Sequence, residues 1–144
     1  YPSGKMDRDQ QKKLSDDIKE LTNGQGADVV YDPVGGDYAE PALRATAWEG
    51  RYLVVGFAAG DIPKIPLNLA LLKGCQIVGV FWGAFKGREV EAHNANVDEL
   101  LKLYGDGHLK PHISSIYSLE EGSKAISDLA ERKARGKVIV QVRA

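Results

Sequence analysis

Three short apolar runs, residues 28–32, 51–57 and 75–82, each end in glycine-bearing punctuation, and stretches with helical apolar spacing separate them. No other feature of the 144-residue chain constrains its fold as strongly. Strands that alternate with helices pack as an α/β domain around a mostly parallel sheet. The run Arg51-Tyr52-Leu53-Val54-Val55-Gly56-Phe57 is almost continuously apolar, which suits a strand covered on both faces.

In residues 7–23, Leu14, Ile18 and Leu21 form one narrow apolar stripe, and Gly24 supplies a stop. Asp37 and Glu40 have N-cap and N3 spacing, a carboxylate form of the capping box. The predicted helix carries Ala39, Leu43 and Ala47 inward, tolerates Pro41 in its first turn, and ends at Gly50. Pro66 opens a short helix through Leu69, Leu71 and Leu72 that Gly74 stops. A longer helix over residues 88–104 has Val90, Val97, Leu101 and Tyr104 on one side. Residues 110–113 are extended. Ser118 and Glu121 form a second capping box, for a helix carrying Leu119, Ile126 and Leu129, and residues 137–142 make a last strand.

Composition narrows the function. The apolar and charged fractions, 43% and 27%, are those of a soluble globular protein. The net charge of −1, with basic residues spread along the chain, argues against a nucleic-acid surface. No apolar run is long enough to span a bilayer, and no secretory leader opens the chain, so no membrane partner is expected. The lone thiol, Cys75, sits in an apolar run; it excludes an internal disulfide, reads as a small core residue, and fits a reducing, cytoplasmic setting. Tyr1-Pro2-Ser3-Gly4 reads like the exit of a strand, so the chain is expected to begin inside a domain.

Ligands of open α/β sheets bind beyond the carboxyl ends of the strands. Here those ends read Asp32-Pro33-Val34-Gly35-Gly36, Gly56-Phe57-Ala58-Ala59-Gly60 and Phe81-Trp82-Gly83. Small residues admit a ligand to the backbone, apolar neighbours pack on a flat ring, and peptide groups bind a carboxamide. The combination suits the ribose and nicotinamide end of a dinucleotide. The alternative is that the glycines only make tight strand-to-helix turns. There is no G-x-G-x-x-G, so no pyrophosphate fingerprint. His93, His108 and His112 do not form a metal set, because Gly107 and Pro111 oppose the helix that would align the last two.

The segments 26–36, 48–57, 68–83, 109–113 and 135–140 together resemble the cofactor domain of zinc-free quinone-oxidoreductase-like members of the medium-chain dehydrogenase/reductase superfamily. The resemblance implies a Rossmann-like, doubly wound parallel sheet, truncated here. Residues 1–110 would be a partial dinucleotide-binding domain, and residues 111–144 a segment returning to a GroES-like catalytic domain. It implies NADPH, rather than NAD, as cofactor, no metal, and hydride transfer to a quinone or activated alkene. By position, Tyr1 would lie beside the adenosine part and Val34 and Gly35 near the ribose. Gly56, Phe57 and Ala58 would lie near the nicotinamide ribose, and Phe81, Trp82 and Gly83 at the nicotinamide and its carboxamide. No catalytic side chain is assigned, and the 144 residues alone are expected to be inactive. The resemblance also implies a homodimer through the strand edge at Ile77 to Phe81, while the truncation is expected to leave exposed apolar helix faces. Two alternatives stay open: the cofactor half of an alcohol-dehydrogenase-type relative, and a stand-alone α/β interaction module that binds no cofactor.

Overall fold

The computed structural model describes residues 5–143, which form two compact units dividing between Arg88 and Glu89. In the first, α1 (Arg8–Leu21) starts on Asp7, whose carboxylate accepts from the Gln10 amide at 2.8 Å while the Gln10 side chain accepts from the Asp7 amide at 3.0 Å. Two orphan amides are thereby satisfied reciprocally. Leu14 and Ile18 are half-buried, as the stripe predicts, but Leu21 is exposed because the last turn runs out beyond the packed face.

Strands β1 (Ala27–Asp32), β2 (Thr46–Val54) and β3 (Gln76–Gly79) form one sheet in the order β1-β2-β3, with both pairings parallel. The register aligns Val30, Tyr52 and Ile77, and then Asp32, Val54 and Gly79. The core lies on the face covered by α2 (Ala39–Arg44) and α3 (Asn68–Lys73), where Ala39, Leu43, Tyr52 and Leu69 are buried. Cys75 packs against this cluster, half-buried. On the opposite face Val29 and Tyr31 are exposed, so β1 is covered on one face only.

Several local expectations are corrected. Asp37 does not cap α2: its carboxylate accepts instead from the amide of Met6, 31 residues away, at 2.8 Å, and Glu40 pairs with Arg44. A 3-10 turn at Gly36–Tyr38 replaces the cap. The helix ends at Arg44 rather than at Gly50, because Ala47 and Gly50 are already in β2, where both are buried. Trp82 does not end β3; it opens α4 (Trp82–Arg88). Gly74 stops α3 in the left-handed conformation, as expected.

The second unit holds α5 (Val90–Gly105), β4 (Ile113–Ser118), α6 (Gly122–Ala130) and β5 (Lys137–Gln141). β4 and β5 pair in parallel and α6 packs on both, burying Ala125. Ser118 and Glu121 do exchange side-chain-to-amide bonds, of 3.3 and 3.4 Å, in the turn just before α6. Leu119, which was read onto this helix but precedes it, and Ile126 and Leu129 within it are all more than half exposed, and so are Val90, Leu101 and Tyr104 of α5. Both sheets are wholly parallel, and the Rossmann-like α/β reading holds.

Candidate functional site

The parallel pairing brings the three strand ends to one edge of the sheet. The first end is organised by Asp32, the last residue of β1, which is 8% exposed. Its Oδ1 accepts from the amides of Val34 at 2.8 Å and Gly35 at 2.9 Å, and its Oδ2 accepts from the Tyr52 hydroxyl. A buried carboxylate needs such donors to offset the water it has lost. Tyr52 stands opposite Val30 in the register, one position before the residue paired with Tyr31, and its ring belongs to the core. Burial first, then the hydrogen bond to Asp32 and the charge of that carboxylate, push the Tyr52 hydroxyl pKa far above its usual value.

The first two ends are laced together. The amides of Val55 and Gly56 donate to the Asp32 carbonyl, Ala58 donates to the Pro33 carbonyl at 3.1 Å, and Ala59 to the Val34 carbonyl at 2.9 Å. The lacing demands small residues. Gly35 has φ +66°, and a Cβ there would stand 2.9 Å from Cδ1 of Phe57. A Cβ on Gly56 would stand 3.1 Å from the Pro33 carbonyl oxygen. These two glycines therefore serve close approach between loops, a cause that the turn-glycine reading did not specify.

The third end follows β3, where the Val80 amide donates to the Val54 carbonyl at 2.9 Å. Phe81 is 79% exposed and Trp82 55%, with the Lys86 ammonium 5.3 Å from the centre of the Trp82 ring. Thus Val34, Gly35, Gly56, Phe57 and Ala58 are in direct backbone or side-chain proximity, while Phe81, Trp82 and Gly83 lie beyond the adjoining strand at the same edge. Tyr1 lies outside the described residues. A cleft of about 420 Å³ opens beside the first end, lined by Gly36, Asp37, Glu40 and residues 61–65; the last segment was not singled out from the sequence.

The rim suits the flat end of a dinucleotide. Phe57, Ala58, Phe81, Trp82 and Gly83 are all exposed, so apolar surface and small residues stand open along it. Asp32 is the only carboxylate in residues 32–36, 56–60 and 81–83, and it is spent within the fold, so these strand ends offer binding and orientation rather than proton transfer. Among the described residues no group of three or more His, Cys, Asp or Glu is placed to hold a metal. Sequence reasoning missed the Asp32–Tyr52 pair. Its signal was Asp-Pro-x-Gly, in which an Asp side chain folds back on amides two and three residues ahead.

An all-parallel sheet with glycine-bearing loops at its carboxyl edge defines the open α/β class, whose ligands bind at that edge. The profile of the family described as zinc-binding dehydrogenase matches residues 7–140. A quinone oxidoreductase-like protein 2 homolog of Nematostella vectensis is 38% identical over 133 residues, 92% of this chain and 36% of that protein. A probable oxidoreductase from Mycobacterium abscessus shares the fold with a TM-score of 0.72 and 30% identity, over 89% of this chain and 37% of that one. A mycobacterial protein solved in complex with NADPH gives a TM-score of 0.79 over 99% of this chain and 42% of that one; at 22% identity this shows the fold alone. The chain belongs to the zinc-binding dehydrogenase family, as a quinone-oxidoreductase-like member of the medium-chain dehydrogenase/reductase superfamily. It spans little more than a third of the length of the curated relatives it matches, 36% in the Nematostella case.

Proposed function

We propose that these residues form the nicotinamide-side part of the NADPH site of an oxidoreductase that reduces quinones or activated alkenes without a metal. The observation that carries this reading is the lacing of the β1 and β2 ends beside the exposed Phe57 ring, with Phe81 exposed after β3 at the same carboxyl edge of a parallel sheet. NADPH is the cofactor to try first, since a protein of the same fold was solved with it. When bound, the nicotinamide would supply the hydride. The chain's own residues would hold and orient it: Val34 and Gly35 toward the ribose, Gly56, Phe57 and Ala58 along the nicotinamide ribose, Phe81, Trp82 and Gly83 at the ring and carboxamide. Apolar packing on the ring would exclude water from the hydride path. A second copy is proposed to pair along β3.

The 144 residues alone are proposed to be inactive and to hold NADPH poorly, as their sequence has no glycine-rich pyrophosphate turn. Fluorescence titration of the chain by itself should give a Kd weaker than about 1 mM. Grafted in place of the matching segment of a quinone oxidoreductase that binds NADPH, the chain should support both cofactor binding and quinone reduction. A folded graft that takes up no NADPH would overturn the reading, and so would micromolar binding by the chain alone overturn its dependence on a separate phosphate turn.

A further inference from the structure

We propose that Asp32 and Tyr52 are positioning residues, a buried latch that sets the Val34–Gly35 loop at the height the cofactor needs. This rests on the cofactor reading above. Oδ1 of Asp32 holds two consecutive loop amides, at 2.8 and 2.9 Å, and Oδ2 is held by a tyrosine hydroxyl from the neighbouring strand. Asp32 and Tyr52 are both buried, at 8% and 4% exposure, so neither is available to a ligand directly. The loop they fix is the same one whose carbonyls, at Pro33 and Val34, receive the amides of Ala58 and Ala59. One carboxylate thus ties the β1 loop to its own strand and, through that loop, sets the path of the β2 loop bearing Phe57. No free carboxylate is left at the rim from this residue. The Asp at this strand end acts on the cofactor's ribose only through the backbone it shapes.

The latch makes a distinction that a general packing role does not. Asp32→Asn retains a side-chain oxygen for the two amides, and its Nδ2 can donate to the Tyr52 hydroxyl, which then accepts. Asp32→Ala keeps neither. In the full-length protein, Asp32→Ala should weaken NADPH binding about tenfold, while Asp32→Asn stays within about threefold of the unsubstituted protein, the former corresponding to about 1.4 kcal/mol. Amide hydrogen exchange supplies the independent readout. At Val34, Gly35, Ala58 and Ala59 it should accelerate in Asp32→Ala and not in Asp32→Asn, with exchange in α1 unchanged in both.

The outcomes separate the two ideas. If the unsubstituted protein binds NADPH and Asp32→Ala binds it equally well, the latch is wrong and the cofactor reading stands. Unchanged exchange at the four amides in a folded Asp32→Ala protein also overturns the latch. If the unsubstituted protein takes up no nicotinamide cofactor, the cofactor reading falls, and the latch's purpose falls with it.

Discussion

The Gly35 backbone, at φ +66°, lies directly against the Phe57 ring, leaving 2.9 Å between an added Cβ and Cδ1. Gly35→Ala thus combines a left-handed backbone with a contact that the ring must yield. The first costs about 1–2 kcal/mol, and movement of Phe57 adds to it. Urea denaturation should show a loss of about 2 kcal/mol. Because Phe57 is displaced at the rim, NADPH affinity of the full-length protein should fall as well. A variant as stable as the parent would show that the loop relaxes freely.

Gly56→Val tests the neighbouring loop. Its Cβ would approach the Pro33 carbonyl oxygen to 3.1 Å, and the two methyl groups have to fit beside the same peptide. Overpacking of this kind costs about 1–3 kcal/mol. Gly56→Ala should lose less of both stability and cofactor affinity. Equal affinity in the parent and the valine variant would remove this loop from the cofactor site.

How much of this was legible in the sequence depended on the range of the interaction. The apolar runs located β1 and residues 51–54 of β2, because their preference for a pleated sheet agrees with the burial of Tyr52 and the partial burial of Val30 and Val54. Gly74 was legible as a helix stop because a left-handed cap is a local requirement. The Asp37 cap was not, because a backbone amide 31 residues away competes for the carboxylate. Of β4 only its first residue, Ile113, was read as extended, since Ser114 and Ser115 break the apolar alternation that marks a strand. At the site, the glycine-bearing ends were visible in the sequence, but the reason for the glycines was not. Pro33, Phe57 and Gly35 meet only after β1 and β2 have paired.

Alkaline pH should expose the Tyr52 contribution. Its hydroxyl pKa is raised above the ordinary value of 10.0 by burial first, and then by the hydrogen bond and charge of Asp32. The unfolded chain therefore releases this proton at a lower pH than the folded one. The associated stability is fully present below about pH 10 and is lost progressively as pH rises from there toward the folded-state value. Tyr117, hydrogen-bonded to Asp128, is raised too and adds a slope of the same sign. Tyr52→Phe should lower stability at neutral pH and flatten the decline above pH 10, leaving the Tyr117 part. Denaturation midpoints measured from pH 8 to pH 11 check this; parallel curves for the two proteins would contradict it.

Leu43 is fully buried in the cluster that α2 presses onto the sheet. Leu43→Ala should cost about 2–5 kcal/mol through lost burial and the cavity left behind. Leu43 shares this cluster with the Tyr52 ring but offers no polar group to the loop amides, so the folded fraction should lose less cofactor affinity than Asp32→Ala does. The pair of variants Leu43→Ala and Asp32→Ala therefore separates loss of stability from loss of loop geometry, with thermal unfolding and cofactor titration read on the same samples.

The proposed dimer rests on β3, which among the described residues pairs only with β2 and so has an open edge in its sheet. Because Val80 donates to Val54, alternation along a parallel strand turns the amides of Ile77 and Gly79 to the open side. An exposed edge with Ile77 at 40% and Phe81 at 79% exposure is a template for another strand. Ile77→Lys places a charge where a second copy would have to desolvate it, while its long stem lies along the surface. Sedimentation equilibrium should show a concentration-dependent dimer for the unsubstituted full-length protein and a monomer for Ile77→Lys, with little change in thermal midpoint. A monomeric parent at about 100 μM, a concentration at which a micromolar dimer would be nearly saturated, would leave the β3 edge without a partner of its own kind.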